Sequence, residues 1–168
     1  MPLVLNGTTG VQDNSGAFVA GTAVASTSGT SIDFTSIPSW VKRVTVCFRG
    51  VSVSGTSSIL IQLGDSGGIE TTGYVSSSTA FSGGAGATGS STAGLIVFTN
   101  DATYINSGII TIANITSNVW VNGGAGKIST GVSWTCGGDK ELSATLDRVR
   151  ITTVNGTDTF DAGTINIL

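Results

Sequence analysis

The 168-residue chain has no histidine, two cysteines, two prolines and one methionine, and only 10% of its residues are charged. Each shortage removes a class of chemistry. Without histidine no Ser-His-Asp base relay can be assembled. With Cys47 and Cys136 as the only thiols, zinc has no ligand set. Two cysteines imply no disulfide framework; they read as reduced core or sheet residues, with a single bridge between them as the alternative. Seven Lys and Arg against ten Asp and Glu give a net charge of −3, which opposes a nucleic-acid partner, whose recognition needs a basic footprint. The nearest basic clusters, Lys42-Arg43 and Arg148/Arg150, read as solvated strand faces. The longest wholly apolar stretch, 95–98, is far short of the ~20 residues of a membrane helix. Residues 1–5 lack the basic start and apolar run of a signal peptide. The expectation is a chain without membrane insertion, made in a cytoplasm.

What is present points to β-structure. Hydrophobic residues make up 39%, too many for a disordered chain, and Val and Ile are prominent among them. The 25 glycines and abundant Ser, Thr and Asn supply turns and loops. Strand-like segments recur at 17–26, 30–35, 41–53, 58–63, 69–76, 95–99, 108–115, 119–122, 128–135 and 141–145. The best is 41–53, where Val44, Val46 and Phe48 alternate with Arg43, Thr45 and Arg49; the apolar phase then shifts at Gly50, which predicts a bulge. Residues 146–168 read as a hairpin turning at Asn155-Gly156, with Val149 and Ile151 on one strand and Ile165 and Ile167 on the other. The chain is thus expected to stop inside its sheet. No stretch gives an amphipathic helix; 36–40 makes one turn at most. Two segments, 76–94 and 121–131, are too polar and Gly-rich for core and read as surface loops, with adaptable binding or assembly loops as the sharper alternative. Residues 1–16 are turn-rich and suit an extended arm. The predicted fold is therefore an all-β, jelly-roll-like antiparallel β-sandwich over 17–168, preceded by a short extended N-terminal arm over 1–16.

Candidate chemistry is sparse. Gly64-Asp65-Ser66-Gly67-Gly68 spells the string around the nucleophile of trypsin-like proteases, but no base is present for Ser66. None of Lys42, Lys127 and Lys140 has a setting recognisable as a Ser-Lys pair. The string reads instead as a Gly-rich turn with Asp65 capping backbone amides. Asp158 and Asp161 form the one close acidic pair near a turn, too few oxygens for calcium. Glu70 and Glu141 are the only glutamates, and the aspartates sit mostly beside turn residues, so paired carboxylates for glycoside cleavage are the minority reading. Trp40, Trp120, Trp134, Tyr74 and Tyr104 either form a sugar-stacking platform or fill the core, an end plug at Trp40 or a subunit contact. No catalytic residue, metal or cofactor is expected.

The terminal segment LDRVRITTVNGTDTFDAGTINIL (146–168) resembles the C-terminal end of many bacteriophage tail-associated and fibre-like structural proteins. Residues 32–63 (IDFTSIPSWVKRVTVCFRGVSVSGTSSILIQL) and 64–75 (GDSGGIETTGYV) resemble earlier parts of the same module. Leu5, Asn6, Gly7, Thr8, Thr9, Gly10 and Val11 resemble the short virion-attachment segment that opens tail-fibre chains. The resemblance implies a β-sandwich of a tail fibre, neck fibre or baseplate appendage, commonly trimeric, with no catalytic residues. It implies as partners other copies in a homotrimer, other phage tail, neck or baseplate proteins, and a host surface glycan. The location implied is the virion, after assembly in the host cytoplasm. The alternatives are a capsid or neck decoration protein and, third, a glycan-degrading appendage.

Overall fold

The computed structural model describes residues 20–99, 101–129 and 131–168, together with the backbone of two short strands nearer the N-terminus. Among the described residues fifteen strands follow one another: β1 (Leu5–Asn6), β2 (Gly10–Val11), β3 (Val24–Ala25), β4 (Ile32–Phe34), β5 (Arg43–Val53), β6 (Ile59–Asp65), β7 (Gly68–Ile69), β8 (Tyr74–Ser82), β9 (Ala85–Ser91), β10 (Leu95–Val97), β11 (Asn106–Thr116), β12 (Val119–Ser129), β13 (Val132–Glu141), β14 (Arg148–Thr153) and β15 (Phe160–Ile167). β1 pairs with β2, Leu5 opposite Val11 and Asn6 opposite Gly10. The others form two antiparallel sheets. The larger has eight strands in the order β3-β15-β5-β11-β12-β13-β8-β9; the smaller has β10-β6-β14-β4, with β7 on β6. One of the two sheets curls into a half-barrel. The expected all-β, two-sheet class is the observed one.

The period-two pattern explains which face turns inward. In β5, Val44, Val46 and Phe48 are buried and Arg43 and Arg49 exposed. Ile110 and Ile112 of β11 and Trp134 of β13 extend that inner face. Ile59, Ile61 and Leu63 of β6, Val149 and Ile151 of β14, and Leu95 and Val97 of β10 meet them from the smaller sheet. At Gly50, φ is 66° and the pairing of β5 with β11 slips by one residue, so the predicted bulge is present.

Three of the larger expectations fail, each for a physical reason. The terminal segment is not a hairpin. Its turn forms as foreseen, with the Gly156 amide donating to the Thr153 carbonyl at 3.0 Å. The two strands then separate: β14 lies between β6 and β4 in the smaller sheet, while β15 lies between β5 and β3 in the larger. Residues 76–94, expected as a loop, form the β8–β9 hairpin, turned by Gly83 and Gly84 at φ 58° and 89°, and then lead to β10. Its inward serines are small enough to lie beneath β10 and bond its backbone: Ser76 Oγ accepts from the Ile96 amide at 2.8 Å and Ser78 Oγ from the Phe98 amide at 3.1 Å. Residues 121–131, also expected as a loop, belong mostly to β12. Its glycines provide room, since a Cβ on Gly126 would stand 2.6 Å from Trp134 Cζ2 and one on Gly108, opposite it, 2.8 Å away. In addition, of the segment 141–145 only Glu141, the last residue of β13, is in a strand. Of the segment 17–26, only Val24–Ala25 is a strand among the described residues.

Gly126→Ala should therefore destabilise the domain by about 1–3 kcal/mol, the usual cost of forcing volume into a packed core. Urea unfolding measures this directly. A midpoint equal to that of the natural chain would show that the indole does not need the bare backbone.

Candidate functional site

The outer face of the smaller sheet carries a shallow groove of about 310 Å3, open to solvent. Strand β14 positions its polar floor, because Arg150 and Thr152 point away from the core while Val149 and Ile151 point into it. Arg150 makes a two-pronged contact with Asp33 of β4, Nε to Oδ1 and Nη2 to Oδ2, each at 2.7 Å. That fixes the guanidinium plane at the rim while leaving further N–H donors. Thr152 Oγ1 donates to the Thr30 carbonyl at 2.9 Å, and Gln62 Nε2 to the Ala93 carbonyl at 2.9 Å. At the far end the β14–β15 turn is held by Asn155, whose Oδ1 accepts from the Thr157 and Asp158 amides at 3.0 and 3.1 Å. Asp158 Oδ2 in turn accepts from the Ser57 amide at 3.0 Å. The groove thus presents fixed hydroxyl, amide and guanidinium groups, a surface suited to a polar, hydroxylated ligand.

A second cluster joins the ends of the two sheets around the 64–68 turn. Asp65 Oδ1 accepts from the Gly67 amide at 2.7 Å, the capping foreseen for this turn, and Oδ2 from Ser143 Oγ at 2.6 Å. Ser66 is exposed at the tip. Glu70 takes the buried Lys140 ammonium at 2.5 Å and the Ser143 amide at 2.7 Å. The same ammonium lies 5.3 Å from the centre of the Tyr74 ring. Tyr74 is buried; its hydroxyl accepts from the Leu63 amide at 2.7 Å and has the Glu70 carbonyl at 3.0 Å as acceptor. Lys140 therefore does have a defined setting, which its sequence neighbours do not reveal. That setting is an ion pair with Glu70, and no bond joins Lys140 to Ser66. The Ser143 hydroxyl and the Gly67 amide hold the Asp65 carboxyl below its ordinary range. Burial pushes Glu70 up, but the Lys140 and Ser143 contacts outweigh it and leave this carboxyl lowered as well.

The remaining candidates are dispersed. Tyr74, Trp120 and Trp134 are core residues, Tyr104 packs partly buried against the hydrophobic core, and Trp40 stands 48% exposed at the 38–41 turn. They form no common platform, and Trp40 does not plug the sandwich. Cys47 of β5 and Cys136 of β13 are free, with β11 and β12 between their strands. Burial raises both thiols, that of Cys136 to about 11 despite the opposing Asn122 amide. Asp161 accepts a hydrogen bond from Ser52, and Asp158 is used in the turn, so the acidic pair is occupied by the protein. No group of three or more potential metal ligands occurs among the described residues. Of the attachment segment, Leu5, Asn6, Gly10 and Val11 have the paired backbone of β1 and β2, whereas Gly7, Thr8 and Thr9 lie outside the described residues. The groove had no signal in the sequence, since its members come from segments up to 126 positions apart. No protein-family model, curated protein or solved structure matches the chain.

Lowered carboxyls stabilise the fold above their unfolded values, near 3.9 for Asp and 4.3 for Glu, and that contribution is lost as pH falls through their folded values. The melting temperature should accordingly hold between about pH 7 and 5 and decline below about pH 4. Ser143→Ala releases Asp65 toward its unfolded value and should flatten part of the decline. Thermal melts across that range provide the measurement; superimposable profiles for the two chains would refute the role given to Ser143.

Proposed function

We propose that the chain is a non-enzymatic bacteriophage virion structural protein, a short tail or neck fibre or baseplate appendage that attaches through its N-terminal segment and presents the sandwich for host adhesion. One observation carries this reading. The segments 32–63 and 146–168, each similar to a separate part of one phage module, hydrogen-bond to one another in both sheets: β14 pairs with β4 and β6, and β15 with β5. Segments that resemble one module and also build one frame support a shared origin. Successive strands from β3 to β6 alternate between the sheets, as do β13, β14 and β15, and this favours a jelly-roll-like description of the head. The protein works as a homotrimer in this reading, so that weak contacts gain avidity from a rigid assembly.

Host surface glycan is the ligand that the polar groove suits. Arg150→Ala should lower retention of the purified protein on host glycan by about tenfold, corresponding to ~1.4 kcal/mol. Equal retention by both chains would remove the groove from adhesion.

Virion attachment belongs to residues 1–16. A protein lacking them should keep its melting temperature and its oligomer while no longer joining particles. Localisation of the natural chain by particle reconstruction completes the test: density at tail, neck or baseplate supports the proposal, and density on the capsid shell favours a decoration protein instead. Normal incorporation of the shortened chain would overturn the role of the segment.

A further inference from the structure

The outer face of the larger sheet has two halves of opposite relief. On β5 and β11 it carries Arg43, Thr45, Ile109 and Thr111; on β12 and β13 the same rows carry Asp139, Gly137, Ala125 and Gly123. Ile109 is 56% exposed, and Phe81 and Val75 on the adjoining β8 are 50% and 68% exposed.

Gly123 and Gly137 face each other at the centre of this surface. Nothing within the chain demands a glycine at either position. A Cβ at Gly123 would meet no atom within 4 Å, and one at Gly137 only the Asn122 carbonyl at 3.7 Å. Gly108 and Gly126 are different, because there the Trp134 indole occupies the space. Glycine inside a strand costs roughly 0.5–1 kcal/mol relative to alanine, and where its own chain gives no reason for it, it marks a place where another molecule approaches closely.

We infer that this face packs on the same face of further copies of the chain, around a cyclic axis parallel to the strands and above the β11–β12 seam. The inference rests on the homotrimer reading and gives it a surface. Such an axis keeps every residue at its own height along the strand, so each cross-strand row meets the same row of the next copy. Thr111 then enters the depression over Gly123, Thr45 that over Gly137, and Ile109 lies on Ala125. Arg43 meets Asp139, opposite charges brought together at the edge of the contact. This arrangement fits closed association, in which one flank of each copy takes the other flank of its neighbour. Six strands about 4.8 Å apart and nine residues long at about 3.4 Å each present roughly 880 Å2; each of the two neighbours in a ring takes one flank, about 440 Å2, roughly half of what each partner gives a standard interface, and the two contacts together cover the face.

Gly123→Lys is the direct probe. Its Cβ would meet no atom of its own chain within 4 Å, so the fold should survive with an unchanged circular dichroism spectrum and a cooperative melt. Light scattering behind a sizing column should give about three times 16.8 kDa for the natural chain and a single chain mass for the variant. Ile109→Lys, at an exposed position, should do the same. Arg43→Asp should weaken association at least tenfold, and pairing it with Asp139→Arg should restore it. A Gly123→Lys protein that keeps the natural oligomer mass would assign the oligomer to another surface, overturning this inference while leaving the trimer standing. A monomeric natural chain at micromolar concentration would overturn both.

Discussion

The indole of Trp134 lies against bare backbone at Gly108 and Gly126, and the register of three central strands follows from that seat. Gly126 is opposite both Gly108 and Trp134, so β11, β12 and β13 are keyed at one height. Trp134 is fully buried, and its Nε1 has no hydrogen-bond partner among the described residues. Packing alone places it. A slip of one residue in β12 would bring Ala125 or Lys127 under the ring and turn the strand's outer residues into the core, so register and core specify one another. With that centre fixed, β5 pairs on one side and β8 on the other, and the smaller sheet closes over the inner face.

Where large apolar residues alternate, the strands were legible in the sequence. β5 follows from Val44, Val46 and Phe48, and its bulge from the phase shift at Gly50. Most of β8, all of β9 and the middle of β12 were not legible as strands, because hydrophobicity is the wrong signal for them. Their inward positions hold Ser76, Ser78, Gly124 and Gly126, small residues selected by what lies above them: the backbone amides of β10 or the side chains of Ile110 and Trp134. The Gly83-Gly84 dipeptide, which favours a tight hairpin turn, was the overlooked local cue. The terminal segment fails for another reason. Its alternation and its Asn-Gly turn are the same whether the two strands pair with each other or part into different sheets, and the choice is made by distant partners, β6 for one and β5 for the other.

The sites divide in the same way. The Asp65 turn was legible because the capped amide is two residues away. The Lys140–Glu70 pair and the groove around Arg150 were not, since each assembles groups from strands far apart in the chain. Low charge and missing histidine narrowed the chemistry from the start, but residues that form a surface rather than a motif leave no local spacing to read.

The parting of β14 and β15 also sets an order in time. Ser26 Oγ bonds the Ala162 carbonyl 136 positions away, and Arg150 meets Asp33 across 117. Closing a loop of that length costs about 4 kcal/mol in chain entropy before any contact repays it, which places this protein among slow-folding topologies. At ~5–20 residues per second, a ribosome takes roughly 5–20 s to make the hundred-odd residues between β5 and β15. Throughout that interval β5 has an open edge of the kind that recruits other strands. Each nascent chain must therefore reach its own late strands before it meets its neighbours, and high local concentrations of half-made chains are the condition under which this fold is most exposed to misassembly.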